Sequence, residues 1–256
     1  MGLKISFMSK RRGFGLVAAL ALLAGCAGAP APDGINDPYE ASNRKTHEFN
    51  RSVDKALLGP ASEGYGGVVP EPVQRMVGNV ANTLDLPGDI ANNLLQLRIA
   101  DAGQNTLRLA TNLIFGVGGL FDFSSALGLE GKPTDFGETL HVWGVGEGVY
   151  MELPLAGPST ARDTVGMAVD LVLNPVRLAL PDKEATAATV LKLFSRLGDR
   201  NRYSETIESI LYESADSYAQ ARLLYLQNRR FQLARGAGAD TADEGFIDPY
   251  EDPYAE

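Results

Sequence analysis

The sequence predicts a predominantly α-helical protein with one short extended stretch, on three observations. Apolar residues recur at helical spacing in one segment after another between residues 37 and 235. Glycine, proline and capping residues separate those segments. The longest uncharged run after residue 26, Leu109–Phe121, holds thirteen residues. As helix that is about 20 Å, against a hydrocarbon core of about 30 Å, so no helix of the body crosses a bilayer. The regular ten-residue alternation of an outer-membrane barrel is also missing. If the body touches lipid, its helices lie along the membrane plane rather than through it. The same apolar faces would equally serve as the core of a helical bundle.

Taken in order, Asp37-Pro38-Tyr39-Glu40 offers an N-cap acid, a proline in the first turn and a glutamate three residues after the cap. The helix it opens is expected to run to about Leu58, with Asn43, His47, Asn50 and Asp54 mixed among Phe49, Val53 and Leu57. A Gly/Pro-rich loop is expected from Gly59 to Pro72. Val73, Met76, Val77, Val80, Ala81 and Leu84 then mark one helix face. Pro87 restarts the chain as a short amphipathic helix through Ile90, Leu94 and Leu97. Asp101 caps the next, whose apolar face includes Leu107, Ala110 and Ile114.

Glycines then concentrate at Gly116, Gly118, Gly119 and at Gly144, Gly146, Gly148. Val149 to Leu155 reads as extended and is closed by Gly157-Pro158. Thr160 with Asp163 opens a helix that Pro175 ends. Pro181 to Arg235 is helical almost throughout, and the acidic tail 236–256, which repeats Asp-Pro-Tyr, is expected to be disordered.

The first 36 residues read as an address. Lys4, Lys10, Arg11 and Arg12 form a basic n-region, and Gly13 to Leu23 form an h-region too short to span a membrane. Leu23-Ala24-Gly25-Cys26 follows, with the chain's single cysteine. That tetrapeptide resembles a bacterial lipobox, which makes residues 1–25 a lipoprotein signal peptide and Cys26 the acylated first residue of the mature chain. Several acyl chains, at about 0.8 kcal/mol per buried methylene, anchor durably. Ala27 stands where aspartate favours inner-membrane retention in similar lipoproteins, which points to the outer membrane. Residues 26–36, rich in Ala, Pro and Gly, form a tether.

Composition excludes several classes. One cysteine allows neither a disulfide framework nor a thiolate metal site. Loss of residues 1–25 removes four of 23 basic residues and none of 32 acidic ones, leaving a formal charge of −13, which excludes a nucleic-acid partner on charge. His47 and His141 are the only histidines, and no zinc-protease, nucleophile-elbow or P-loop motif is present. No catalytic residue, metal ligand or cofactor is therefore expected, apart from the covalent lipid on Cys26.

Ordered motifs now accumulate. Asp37-Pro38-Tyr39-Glu40, Asn43-Arg44, Phe49-Asn50, Val69-Pro70, Leu86-Pro87 and Asn93-Leu94-Leu95-Gln96 are followed by Gly116-Val117-Gly118-Gly119-Leu120-Phe121-Asp122. Asp135-Phe136-Gly137-Glu138-Thr139-Leu140, Trp143 to Tyr150 and Leu153 to Asp163 complete the series. Over most of Asp37–Val176 the chain resembles the MlaA/VacJ family of outer-membrane lipoproteins, with Val149 where that family usually has proline. The resemblance implies a ring-like helical body of residues 37–235 in the inner leaflet of the outer membrane, around a polar passage. It implies removal of misplaced phospholipids from the outer leaflet, delivery to a periplasmic carrier of the Mla pathway, and association with a trimeric porin. The alternative is a lipid-anchored scaffold that binds a porin without moving lipid.

A charged headgroup needs a polar route, because desolvating a phosphate in hydrocarbon is prohibitive. Asn43, His47 and Asn50, at helical spacing, either line such a route or face solvent and neighbouring loops. Gly144, Gly146 and Gly148 are either a hinge for a moving edge or a tight turn that needs positive φ. Lys192, Arg196 and Arg200 lie four apart, where they either meet phosphates or pair with local acids such as Asp199 or Glu205.

Overall fold

In the computed structural model, which describes residues 35–236, the first helix α1 spans Glu40–Val53. Asp37 does not cap it. Tyr39 is the N-cap, and the Asp37 carboxylate instead accepts hydrogen bonds from Asn43 at 2.9 Å, Tyr218 and Arg222. Beyond Val53 the backbone widens into a π-helical turn, Asp54–Leu58, and continues as α2, Gly59–Val68. The loop expected from Gly59 is thus helical for ten residues. Tertiary contacts override the local glycines. Arg200 grips Asp54 through two bonds of 3.0 Å, Tyr212 adds a third at 2.8 Å, and Gly66 lets α2 approach Asn201 so closely that a Cβ would collide with it.

Helix α3, Glu71–Leu95, runs unbroken through Pro87, where the sequence suggested a restart. Proline there removes one backbone hydrogen bond, but packing of α3 along its neighbours holds the helix together. Helix α4, Ile99–Ile114, starts two residues ahead of Asp101, which sits in its first turn instead of capping it. Short helices α5, Phe123–Ala126, and α6, Phe136–Val142, are capped by Asp122 and Asp135, whose carboxylates accept the N–H of Ser125 and Glu138.

A hairpin follows, β1 Tyr150–Leu153 paired antiparallel with β2 Gly157–Thr160. Gly157-Pro158, expected to close the extended stretch, instead begins a second strand, and Leu155 turns the corner at φ 63°. Helix α7, Ala161–Val172, opens as expected, the Thr160 side chain accepting the Asp163 N–H at 3.2 Å. The chain then runs through α8 Pro175–Ala179, α9 Asp182–Arg202, α10 Ser204–Glu208, a π-helical turn Ser209–Glu213, and α11 Ser217–Gly236. Cys26, the signal segment, most of the tether and the tail 237–256 lie outside the described residues.

Burial runs opposite to that of an ordinary soluble domain. Among the described residues only eight hydrophobic side chains are buried, the largest being Tyr150 and Tyr218, whereas 21 polar or charged ones are. Helix α4 shows this most clearly: Asn105, Arg108 and Asn112 are buried, while Leu107, Leu113 and Ile114 are exposed. Exposed apolar side chains concentrate between Leu94 and Trp143, at the turns and outer faces of α3 to α6. Leu97 and Val117, at turns there, keep large apolar side chains on backbone with φ near 60°, where glycine would be less strained. No described helix is long and apolar enough to cross a membrane.

Candidate functional site

The polar interior opens into a cavity of about 720 Å³. One wall is α3, which presents Asn79, Asn82, Asp85, Asp89 and Asn92 at steps of three and four residues, one helical face. Bonded to it runs the segment 131–136 leading into α6, and Arg108 and Asn112 of α4 and Asp122 also line the cavity. The end of α7, Asn174-Pro175 and Arg196 of α9 close the remaining side. A second cavity of about 370 Å³ shares Asp135 and Asp170 with the first and adds Tyr225, Asn228, Arg229 and Gln232 of α11.

Hydrogen bonds hold the segment 131–136 against α3. Asn105 clamps the Lys132 backbone from both sides, accepting its N–H at 3.1 Å and donating to its carbonyl at 2.8 Å. Gln96 donates to Thr134 at 2.7 Å and to Thr139 at 2.9 Å, and Thr139 donates to Asn92 at 2.9 Å. Asn92 in turn donates to Asp170 at 3.1 Å, whose other oxygen accepts the Phe136 N–H at 2.9 Å. Arg229 ties α11 to this wall, pairing with Asp135 at 2.7 and 2.8 Å and with Asp163 at 3.0 and 3.2 Å. Burial alone would raise the Asp163 pKa, but Arg229 and Arg162 outweigh it and hold the carboxyl at about 2.

The carboxyls of the cavity differ in how they are compensated. Asp122 is also pushed up by burial, yet hydrogen bonds from Ser124, Ser125 and Asn112 carry it well below the usual carboxylate range. Burial, with repulsion from Asp85, Asp135 and Asp170, raises Asp89 to about 7 despite the Thr134 N–H at 3.2 Å. Asp170 is raised too, chiefly by burial.

The residues singled out from sequence fall in three different places. Asn43, His47 and Asn50 do not line the cavity. They join α1 to the hairpin edge: Asn43 donates to the Tyr150 carbonyl at 3.2 Å and accepts the Glu152 N–H at 3.1 Å, while Asn50 donates to the Leu153 carbonyl at 2.9 Å and accepts the Leu155 N–H at 2.8 Å. Between them His47 contacts Glu152 at 3.2 Å and Ser217 at 3.0 Å. Ser217, His47 and Glu152 share the connectivity of a hydrolytic triad. Ser217 is buried, however, and Tyr150 donates to the second Glu152 oxygen at 2.5 Å, so the constellation fastens three elements instead of presenting a nucleophile.

Of the basic stripe, Lys192 pairs with Asp85, and Arg200 with Asp54 and, at 3.7 Å, Glu208. Neither pairs with Asp199 or Glu205, the acids nearest in sequence. Arg196 alone of the three lines the cavity. In the glycine run, Gly144 (φ 87°) ends α6 and Gly148 (φ 75°) packs against Ala161, both in backbone that favours glycine, whereas a Cβ on Gly146 would meet nothing within 4 Å. The α3 stripe was missed from sequence. Its signal was present in the recurrence of Asn79, Asn82, Asp85, Asp89 and Asn92 interleaved with the apolar Met76, Val77, Val80, Ala81 and Leu84.

Comparison with known proteins places this geometry. A family model described as "MlaA lipoprotein" matches residues 35–232. A Haemophilus influenzae protein named "Intermembrane phospholipid transport system lipoprotein MlaA" is 31% identical over 229 residues, 86% of this chain and 89% of its own. The Escherichia coli protein of the same name is 30% identical over 242 residues, 92% and 90% of the two chains. A solved chain from work described as the "Structural basis for maintenance of bacterial outer membrane lipid asymmetry" superimposes with a TM-score of 0.66 at 27% identity, covering 77% of this chain and 98% of that one.

Proposed function

From the premise that the chain belongs to the MlaA lipoprotein family, we propose that it is a passive conduit for phospholipids, maintaining lipid asymmetry as an outer-membrane-associated lipoprotein of an intermembrane transport system. The observation that carries this reading is the reversed burial. An apolar exterior around Leu94–Trp143 suits hydrocarbon, and a cavity walled by amides and carboxylates suits a headgroup that hydrocarbon excludes. The body lies in the inner leaflet, tethered through acylated Cys26, with its apolar faces against lipid tails. It takes misplaced phospholipids from the outer leaflet and passes them to a periplasmic carrier, beside a trimeric porin. The Gly144–Gly148 run is the moving edge, and Gly146→Val, whose Cβ would meet nothing within 4 Å, is expected to impair transport without unfolding the protein.

Filling the cavity tests the proposal. Gly88 lines it, and a Cβ built there meets nothing within 4 Å. Gly88→Trp is expected to fold, reach the outer membrane, and leave phospholipid on the cell surface with raised detergent sensitivity, the outcome also expected of a gene deletion. The scaffold reading expects no such effect. A clean outer leaflet in cells carrying this variant at normal abundance overturns transport through the cavity.

A further inference from the structure

The charges lining the cavity do not cancel pairwise. Asp85 pairs with Lys192, Asp122 with Arg108 at 3.3 Å, and Asp135 with Arg229 at 2.7 Å. That leaves two carboxylates and two cations on the lining without an ion-pair partner among the described residues: Asp89 and Asp170, Lys132 and Arg196. Among the described residues Asp89 accepts only the Thr134 N–H, and Asp170 accepts only Asn92 and the Phe136 N–H, with Arg229 attracting Asp170 from beyond ion-pair distance. The Lys132 backbone is clamped by Asn105, and its side chain sits half-buried on the lining. Arg196 lines the same cavity from α9, which packs along α3, and is the one member of its helical stripe not committed to an acid.

We propose that this cavity is selective for zwitterionic aminophospholipids, the headgroup ammonium meeting Asp89 and Asp170 while the phosphate diester meets Lys132 and Arg196. The inference rests on the conduit reading above and adds a substrate class to it. An anionic headgroup such as phosphatidylglycerol offers the same phosphate to the two cations but turns neutral hydroxyls toward the two carboxylates, leaving them uncompensated in a partly desolvated site. An ammonium instead supplies three donors and the missing charge. The raised pKa of Asp89, caused by burial and three neighbouring aspartates, has the sign expected of a site that lacks a cation.

The test is lipid capture by the full-length acylated protein. Purified protein is equilibrated with vesicles of equal phosphatidylethanolamine and phosphatidylglycerol, re-isolated, and its retained lipids quantified by mass spectrometry. Wild-type protein is expected to enrich phosphatidylethanolamine about fivefold, the scale of one partly exposed ion pair. Asp89→Asn/Asp170→Asn, which keeps the acceptor oxygens, is expected to bring the ratio to about one with total lipid retained. Lys132→Gln/Arg196→Gln is expected to lower retention of both lipids. Retained lipid in the supplied ratio overturns the headgroup inference while leaving the conduit intact. No retained lipid above a Gly88→Trp control overturns the conduit itself. If soluble glycerophosphoethanolamine displaces the lipid at equal concentration, the site belongs to the free ester and the lipid assignment falls. Should the double aspartate variant fail to fold by circular dichroism, the wild-type ratio still decides.

Discussion

Helices α1 and α3 each carry a stripe of amides and acids at helical spacing, and the two stripes do opposite work. On α1, Asn43, His47 and Asn50 spend their hydrogen-bonding capacity on β1 and its neighbours Asp37, Leu155 and Ser217. On α3, Asn79, Asp85 and Asn92 are bonded to Leu120, Lys192 and Asp170, but among the described residues Asn82 makes no hydrogen bond and Asp89 has no ion-pair partner. Periodicity identifies a polar face in both. Only the tally of satisfied donors and acceptors separates a fastening from a surface waiting for a ligand.

That contrast breaks most readily at the fastening. Asn43→Ala strands the buried Glu152 N–H and the Tyr150 carbonyl and is expected to cost about 2–4 kcal/mol in urea denaturation; a loss under about 0.5 kcal/mol would show that α1 is not locked to the hairpin. The opposite sign is expected on α3. With its folded pKa at about 7 and an ordinary unfolded value of 3.8, Asp89 holds an extra proton in the folded state between those pH values. Stability from this group is therefore greatest at low pH and falls as pH rises through that window. Asp89→Asn should leave stability unchanged near pH 4 and raise it by about 1–3 kcal/mol at pH 8, read from paired melting curves. Smallest is Asn82→Ala, exposed on the cavity wall, expected to change stability by less than about 0.5 kcal/mol while altering lipid retention.

Much of the fold was legible because its signals are local. Thr160 with Asp163 opens α7 as its residue types require, and the segment after Pro181 is helical as its apolar spacing indicates. What failed depended on distant partners. Nothing near Gly59 announces that Arg200 and Asn201 will hold the chain helical to Val68, nor near Pro87 that neighbouring helices will carry α3 across it. The second strand was hidden because Gly157-Pro158 reads locally as a turn.

The site was legible in kind more than in place. A polar passage needs amides on helices, and both stripes supply them, but sequence cannot tell which stripe meets β1 and which meets a cavity. Arg196 was marked together with Lys192 and Arg200, and only the positions of Asp85 and Asp54 separate it from them. The apolar face of α4 was read correctly, whereas its outward direction required the structure, because periodicity does not distinguish a core from a lipid-facing surface.

Trp143, the single tryptophan, stands 51% exposed within the apolar exterior and reports directly on what that exterior touches. The decisive measurement is its fluorescence in the acylated protein reconstituted into bilayers, quenched alternately by brominated acyl chains and by aqueous iodide. Strong quenching by the brominated chains with little by iodide is predicted for an apolar face turned to lipid around a polar interior. Quenching by iodide alone would mean that this face looks onto water, contradicting the reversed arrangement on which the conduit rests.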